Sequence, residues 1–176
     1  MTSITIETAT PDRVGDIVAL MESAYRGDVS RKGWTSEADL IDGARTSVPE
    51  MLASLHDPKT YTLVAKTSND DLVGCASVTF DGPSCIFGKF AVDPDQQAGG
   101  IGKLLLAAAE RAAISHFGVA SMTMTVIDGR TELEAFYERR GYARTGNVVY
   151  MADIHTGDDM TIGHDLVLNE YAKALI

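Results

Sequence analysis

The segment Cys85–Phe117, CIFGKFAVDPDQQAGGIGKLLLAAAERAAISHF, predicts a buried strand, a glycine-rich turn and a long helix in direct succession. Its first part, Cys85–Val92, is largely apolar with one glycine, as in a strand that is buried on both faces. Asp93-Pro94-Asp95 ends this strand, because proline lacks the N–H group that a β-ladder needs. The last part, Lys103–Phe117, continues a run of apolar residues at helical spacing and predicts a helix.

The turn between strand and helix, Gln97-Ala98-Gly99-Gly100-Ile101-Gly102, predicts an anion-binding site. N–H groups in the first turn of a helix have no intrahelical partner, and the helix dipole favours negative charge there. Glycines allow a phosphate to approach the backbone, since a Cβ atom would block it. The pattern is neither a P-loop nor the Rossmann fingerprint. It predicts a phosphate or pyrophosphate ligand, and the alternative is a turn that only joins strand to helix.

The same turn resembles the acyl-CoA pyrophosphate loop of the GNAT N-acetyltransferase superfamily. Gln97-x-x-Gly100-x-Gly102 matches the loop pattern Q/R-x-x-G-x-G/A, and Phe90-Ala91-Val92-Asp93-Pro94 is similar to the strand end before that loop. A second block, Glu134–Tyr142 with the sequence EAFYERRGY, resembles the family pattern FYE-x-x-GY. The resemblance covers nearly the whole chain and implies acetyl-CoA as the acyl-donor co-substrate.

Composition excludes several classes of protein. The 176 residues carry a net charge of −10, which argues against nucleic-acid binding, because such binding rests on basic groups that face phosphates. No apolar run approaches the roughly 20 residues of a membrane helix, and the N-terminal segment lacks the features of a signal peptide. We therefore expect no membrane association, a cytoplasmic location, and one domain over residues 1–176.

The order of predicted elements is similar to that of the GNAT fold, which implies an α+β, three-layer α/β/α architecture. Its sheet is mixed and mostly antiparallel, and helices flank it. Ser36-x-x-Asp39 resembles a capping box and predicts a short helix near Glu37–Arg45. With a turn at Asp81-Gly82-Pro83, Cys75 falls opposite about Lys89 on the next strand, roughly 13 Å along that strand from Cys85, so we expect no disulfide. The further predicted helices cover Asp12–Tyr25, a turn or two from Pro49, and Glu132–Arg140 with Thr131 as the cap; the further strands are Ile4–Ala9, Tyr61–Lys66, Leu72–Phe80, Met122–Ile127, Val148–Met151 and Asp165–Tyr171.

The resemblance implies that an acceptor amine attacks the thioester of acetyl-CoA directly. Backbone groups of the strand end would stabilise the developing oxyanion. Tyr137, in the second block, corresponds to the tyrosine that protonates the leaving thiolate in many members, although a core tyrosine at that position is the alternative. The positions that correspond to CoA-binding sites are Phe90, Ala91, Val92, Gln97, Ala98, Gly99, Gly100, Ile101, Gly102, Lys103, Arg130 and Phe136.

Arg130 departs from the family pattern, in which many members have an asparagine that contacts the pantetheine arm. A guanidinium only donates hydrogen bonds and carries charge. Arg130 is therefore predicted to contact a CoA phosphate or the acceptor, or else to be a solvated turn residue, as isolated arginines usually are.

The sequence singles out no general base among its carboxylates. An amine with a pKa of about 10.4 is neutral in roughly one molecule per two thousand at pH 7, a handicap of about 4.6 kcal/mol. The family often uses a glutamate on the strand before the loop, and Cys85–Val92 contains none. The candidate carboxylates elsewhere are Glu22, Glu37, Asp39, Asp128 and Glu134.

The acceptor pocket in this superfamily forms mainly from the first two helices and their loop, which here supply Tyr25, Arg26, Trp34 and Arg45. The two arginines suit an acceptor with a carboxylate, or they are ordinary surface residues. We expect a small-molecule amine as the acceptor and a homodimer as one possible assembly, because GNAT sheets often have exposed edges. A non-catalytic acyl-CoA-binding module and a protein for another nucleotide are the alternative functions.

We expect no metal site. His155-x-x-Asp158 lies close in sequence to Asp159, His164 and Asp165, but their spacing matches no known metal motif.

Overall fold

The computed structural model describes residues 2–33, 36–42, 44–151, 160–161 and 166–176. Within them, the strands are β1 Ile4–Thr8, β2 Ile41–Asp42, β3 Thr60–Thr67, β4 Leu72–Asp81, β5 Ser84–Val92, β6 Ser121–Ile127, β7 Ala143–Tyr150, β8 Met160–Thr161 and β9 Val167–Ala174. The α-helices are α1 Val14–Tyr25, α2 Gly27–Ser30, α3 Val48–His56, α4 Ile101–Ala112 and α5 Thr131–Glu138. Short 3-10 turns cover Pro11–Arg13 and Pro94–Gly99, and a π-helical turn over Ala113–Phe117 extends α4.

The main sheet has seven strands in the order β1-β3-β4-β5-β6-β9-β7. Neighbouring strands pair in the antiparallel direction except β5 and β6, which are parallel. The predicted mixed, mostly antiparallel sheet is therefore confirmed. β2 and β8 form a separate two-stranded ribbon.

The parallel pair separates soon after it begins. β5 and β6 pair only at Cys85 with Met122 and at Ile86 with Thr123. Beyond these positions β5 stays paired with β4, and β6 stays paired with β9, as far as the ends of both strands. A gap therefore opens in the middle of the sheet, and the facing edge of β5 has backbone groups that the ladder does not use.

Helices cover both faces of the sheet. On one face, α1 and α3 bury Ile17, Met21 and Met51 against the sheet residues Val64 and Cys75. On the other face, α4 and α5 bury Ile101, Leu105 and Phe136 together with Val73 and Phe90. The result is the predicted three-layer arrangement, in which apolar stripes of the helices meet the two faces of the sheet.

The helix predicted near Glu37–Arg45 is wrong for the residues that the structure describes. Residues 38–40 form a turn and Ile41–Asp42 is the short strand β2. The Glu37 N–H donates to the Tyr25 carbonyl at 2.8 Å, and this bond ties the segment to the end of α1. The Ser36 hydroxyl bonds to Ser30 at 2.7 Å. The capping box lies instead at Ser47 and Glu50, where α3 begins.

Four local predictions also need correction. β7 begins at Ala143, five residues before the predicted strand, and β9 covers Val167–Ala174 rather than Asp165–Tyr171. Thr131 is the first residue of α5 and not its cap, a position that Arg130 holds without a side-chain cap bond. Cys75 pairs with Ala91 rather than with Lys89, because a bulge shifts the register. Both cysteines are free and buried, as expected.

The strand β7 forms one edge of the main sheet, and nearly all of its residues are exposed. Val148 and Tyr150 are among its exposed apolar side chains. An open edge of this kind can pair with another chain. The homodimer stays a prediction.

Candidate active site

A groove of about 530 Å³ lies where β5 ends and α4 begins. We call it the glycine-loop groove. Residues of the predicted pyrophosphate loop form one wall, and α5 with the residues after it forms the other. Its lining residues are Val92, Gln97, Ala98, Gly100, Gly102, Lys103, Thr131, Glu132, Ala135, Phe136, Arg139 and Arg140. The structure thus brings the two blocks that resemble the GNAT family together around one groove.

The glycines of the loop have different physical roles. Gly100 caps α4 in the left-handed region at φ +80°, which favours glycine, and no atom lies within 4 Å of the place that its Cβ would occupy. A ligand can therefore approach the backbone at Gly100. A Cβ at Gly102 would lie 3.0 Å from Cζ of Phe90. Gly102 thus allows α4 to pack against Phe90, which differs from the role in phosphate approach that the sequence suggested.

Arg140 gives the groove a buried donor without a partner. Its guanidinium stacks on the Phe136 ring at 3.7 Å from the ring centre, and one terminal nitrogen donates to the Phe136 carbonyl at 2.7 Å. Its Nε atom is buried and has no hydrogen-bond partner among the described residues. Burial lowers the pKa of Arg140, and the neighbouring Arg139 adds to this effect.

The groove therefore fits a polyanionic ligand. Lys103, Arg139 and Arg140 line it, with Glu132 as the opposing charge. In a chain with a net charge of −10, this local excess of cations beside the first turn of α4 suits phosphate groups. The first-turn N–H groups and the orphaned Nε of Arg140 would supply the hydrogen bonds.

Gln97 turns its side chain toward the end of β5. Its Nε2 atom donates to the Val92 carbonyl at 3.1 Å. The first residue of the motif therefore fixes the angle between strand and loop, and it also lines the groove. Of the other predicted cofactor residues, Ala91 and Ile101 are buried in the core, and Gly99 is exposed.

A second space of about 300 Å³ lies in the gap between β5 and β6. We call it the central cavity. Six of the residues that the sequence predicts to act in catalysis, cofactor binding or acceptor binding line this cavity, namely Tyr25, Arg26, Arg45, Phe90, Arg130 and Tyr137. Trp34, the remaining acceptor candidate, lies outside the described residues.

Tyr137 lines the central cavity from α5. Its side chain is only 4% exposed, and its ring packs against Phe87, Phe90, Phe136 and Tyr142. Within the described part of the chain, no protein group forms a hydrogen bond with its hydroxyl. Burial raises the pKa of Tyr137 well above its usual value. The phenol is therefore protonated at neutral pH and available as a hydrogen-bond donor.

Glu37 lies between two arginines at the cavity wall. Its carboxylate pairs with Arg26 at 2.5 Å and with Arg130 at 3.4 Å. The arginine side chains are each 9% exposed and Glu37 is 12% exposed. Arg130 is thus a largely buried partner of Glu37, and its interpretation as a solvated turn residue is wrong.

The other candidate carboxylates form hydrogen bonds or ion pairs with neighbouring protein groups. Glu22 accepts hydrogen bonds from the Arg45 and Thr46 N–H groups. Asp39 pairs with Arg31, and Asp128 accepts from Asn169. Glu134 pairs with Arg144 at 3.1 Å. Of these five candidates, only Glu37 lines the central cavity.

Lys89 is a lining residue that the sequence did not single out. The register of β4 and β5 shifts between Cys75 and Ser77, which places a bulge opposite Ala76. Within this bulge Lys89 has φ +45°, a left-handed conformation that is uncommon for a residue with a side chain. Burial lowers the pKa of Lys89, and nearby Arg45 adds to this effect. The glycine before Lys89 is the one local signal for a bulge in this strand.

The chain belongs to the GNAT acetyltransferase family. The model of the Acetyltransferase (GNAT) family matches residues 23–142, which is more than half of the chain. The match includes the glycine loop and the EAFYERRGY block. No curated protein sequence matches the chain at a significant level.

Solved structures of acetyltransferases share the fold. A candidate phosphinothricin N-acetyltransferase is 20% identical over 99% of each chain, with a TM-score of 0.73. A variant of spermidine N-acetyltransferase from Vibrio cholerae is 13% identical over 98% of this chain and 94% of that one, with a TM-score of 0.71. The IAA acetyltransferase from Bacillus cereus is 16% identical over 98% and 99%, with a TM-score of 0.68. At these identities the similarity establishes the fold and leaves the acceptor open.

None of the helices in the described residues has the length and apolar character needed to cross a membrane. Among the same residues, no three His, Cys, Asp or Glu side chains are grouped so that they could hold a metal ion. The histidines and aspartates between His155 and Asp165 lie outside the described residues.

Proposed function

We propose that this protein transfers the acetyl group of acetyl-CoA to the amine of a small-molecule acceptor. One observation supports the proposal most strongly. The glycine-loop groove and the central cavity adjoin through consecutive residues of α5, because Phe136 lines the groove and Tyr137 lines the cavity. A ligand with phosphates in the groove can thus extend a reactive end past β5 into the cavity.

The glycine-loop groove would hold the pyrophosphate of acetyl-CoA. The residues that bind it would be the backbone of Gly100–Lys103 and the side chain of Arg140. The aromatic ring of Phe136 would pack against the arm that leads toward the cavity. Acetyl-CoA, when bound, supplies the activated acetyl thioester.

The open edge of β5 would stabilise the negative charge that develops on the carbonyl oxygen during transfer. Backbone N–H groups near Phe90 and Val92 suit this role, since β6 does not pair with them and fixed donors in a water-poor site act strongly on such charge. The bulge at Lys89 locally changes the direction of these backbone groups.

Tyr137 would donate a hydrogen bond to the sulfur as the carbon–sulfur bond breaks. Full proton transfer from a phenol with a pKa above 10 to a thiolate of about 8.5 is uphill by more than about 2 kcal/mol. The hydrogen bond from Tyr137 therefore stabilises the leaving thiolate. The proton that this thiolate finally receives balances the proton that the acceptor amine loses.

We assign no side chain to the deprotonation of the acceptor. Glu37 is already paired with two guanidinium groups. The acceptor would then bind from solution as the neutral amine, and the rate should rise about tenfold per pH unit below the amine pKa. We also propose that the chain acts as one catalytic domain in the cytoplasm, where its two free buried thiols would stay reduced.

The test is an acetyl-transfer assay that detects the released CoA thiol with a panel of primary amines. Tyr137→Phe should lower kcat by about 10- to 100-fold, the effect of losing a hydrogen bond to a charged group, with CoA affinity nearly unchanged. Tyr150→Phe, a change on the exposed strand β7, is the matched control. Unchanged turnover in Tyr137→Phe contradicts the role of this residue.

The rival function is an acyl-CoA-binding module without turnover. The observation that favours it is the combination of Arg130 at the asparagine position and the lack of a carboxylate on β5. Binding of acetyl-CoA without acetyl transfer to any amine in the panel would support this rival.

A further inference from the structure

The central cavity has an excess of positive charge. Four cationic side chains line it, namely Arg26, Arg45, Lys89 and Arg130, and Glu37 is the one anionic side chain among its described lining residues. This distribution is opposite to that of the chain, whose net charge is −10. A cavity that concentrates one sign of charge attracts ligand groups of the other sign.

Glu37 is the counter-charge of the two arginines at one side of the cavity. It contacts both Arg26 and Arg130 within ion-pair distance. One carboxylate thus faces two guanidinium groups, and this cluster carries a net charge of +1.

Arg45 and Lys89 have no such counter-charge among the residues that the structure describes. Within the described residues, no carboxylate lies at ion-pair distance from either side chain. The Arg45 guanidinium lies over the Tyr25 ring at 5.2 Å from its centre. Glu50 is near enough to favour the charged form of Lys89, but its carboxylate accepts bonds from Thr46 and Ser47 in the capping box of α3.

These two cations line the same partly buried cavity. Arg45 lowers the pKa of Lys89, which means that the two groups repel one another. An anion between them would relieve this repulsion and would gain charge-assisted hydrogen bonds. A guanidinium also matches a carboxylate in a two-pronged geometry.

We propose that the acceptor is a small amine that also carries a carboxylate, as an amino acid does, and that Arg45 and Lys89 bind this carboxylate. The inference rests on the proposed acetyl transfer and specifies its substrate class. The cavity of about 300 Å³ is at the lower end of the range for small-molecule sites. The same cations disfavour a polyamine, whose additional ammonium groups they would repel.

The experiment compares amines that differ only in the carboxylate. L-leucine with isoamylamine, L-phenylalanine with phenethylamine and L-tyrosine with tyramine form the pairs, and spermidine is the polycation. Acetylated products are measured by mass spectrometry, and rates are expressed per neutral amine. The carboxylate-bearing member of each accepted pair should be preferred by about tenfold or more, the value of one charge-assisted hydrogen bond. A preference for the decarboxylated amines or for spermidine overturns the inference.

A binding measurement covers the case in which none of these amines is turned over. N-acetyl-leucine, N-acetyl-phenylalanine and N-acetyl-tyrosine are tested by ligand-detected NMR in the presence of CoA, beside N-acetyl-isoamylamine. Binding of the carboxylate-bearing compounds alone supports the inference. If CoA binds and none of the carboxylate-bearing compounds does, the inference is wrong.

Variants assign the effect to the two cations. Arg45→Gln and Lys89→Gln should each raise the KM for the carboxylate-bearing acceptor about tenfold and reduce its preference over the decarboxylated partner, and Lys89→Arg should restore much of that preference. Arg111→Gln and Lys59→Gln change exposed residues that do not line the cavity, and they serve as controls. Circular dichroism checks the fold of each variant.

Acetyl-CoA affinity separates this inference from the proposed function. All four glutamine variants should bind acetyl-CoA as the wild type does. If the wild-type chain does not bind acetyl-CoA, the proposed function itself is wrong. If the wild-type chain binds acetyl-CoA but shows no preference for carboxylate-bearing amines, only the assignment of the acceptor is wrong.

Discussion

The Tyr25 hydroxyl at the end of α1 donates a hydrogen bond to the Phe90 carbonyl on the open edge of β5. This contact joins the helix that precedes the acceptor segment to the strand that borders the glycine loop. Tyr25 is buried, and burial raises its pKa above the usual value. Its phenol therefore remains a donor at neutral pH and fixes the wall of the central cavity.

Replacing Tyr25 with Phe should lower the free energy of unfolding by about 1–3 kcal/mol, because the Phe90 carbonyl would lose its buried partner. Urea denaturation measures the change. Tyr61→Phe removes an exposed bond to Thr8 and should have a smaller effect. Equal losses of unfolding free energy in both variants would show that burial of the Tyr25 hydrogen bond adds no stability.

Glu37→Gln should destabilise the fold by about 3–5 kcal/mol, since two largely buried arginines would lose their counter-charge. Thermal and chemical denaturation both report it. Asp39→Asn, two residues away, breaks an exposed pair with Arg31 and should change stability far less, because solvent and salt screen exposed ion pairs. A Glu37→Gln variant as stable as Asp39→Asn would contradict the role of the buried cluster.

Gly100→Ala should cost about 1–2 kcal/mol, because Gly100 has φ +80° and a side chain strains that conformation. Gly99→Ala is the matched control. A Cβ at Gly99 meets no atom and its backbone is outside the left-handed region, so the change should be neutral or slightly stabilising. Differential scanning calorimetry of the two variants tests the contrast, and equal melting temperatures would argue against the strained loop.

Cys75 should make the fold less stable in alkali. Burial raises the pKa of its thiol to about 12, whereas the thiol of the unfolded chain ionises near pH 9, so above that pH the unfolded state loses the proton first. The contribution of Cys75 to stability is therefore complete below about pH 9 and falls by about 1.4 kcal/mol per pH unit above it. The free energy of unfolding of the wild type and of Cys75→Ala is measured between pH 8 and about pH 10.5, and the variant should lack the part of the decline that Cys75 causes. Parallel curves for the two proteins would contradict the shifted pKa.

The glycine loop and the α5 block could be predicted from the sequence because their information is local. Gly100 and Gln97 lie within one turn of the α4 start, and Phe136 and Tyr137 lie on one short helix. The same spacing that suggested a ligand loop also dictates the strand, turn and helix that form it. Fold class and family follow from these segments.

The chemistry of the central cavity depends on contacts that no local pattern contains. Glu37 and Arg130 are 93 residues apart and meet only in the folded chain. The predicted capping box at Ser36 failed because the Glu37 N–H bonds to Tyr25, a tertiary contact. Lys89 enters the cavity through a bulge in the β4–β5 ladder, and register is a property of two strands together.

Calorimetric titration of the chain with acetyl-CoA and with CoA tests the central claim most directly, because it does not require the acceptor to be known. We expect micromolar binding of both ligands, and we expect Gly100→Asp, which places a carboxylate beside the first turn of α4, to abolish it while Gly99→Ala retains it. Circular dichroism of the folded variants completes the comparison. Absence of binding of either ligand to the wild-type chain would contradict the assignment of the glycine-loop groove to acetyl-CoA.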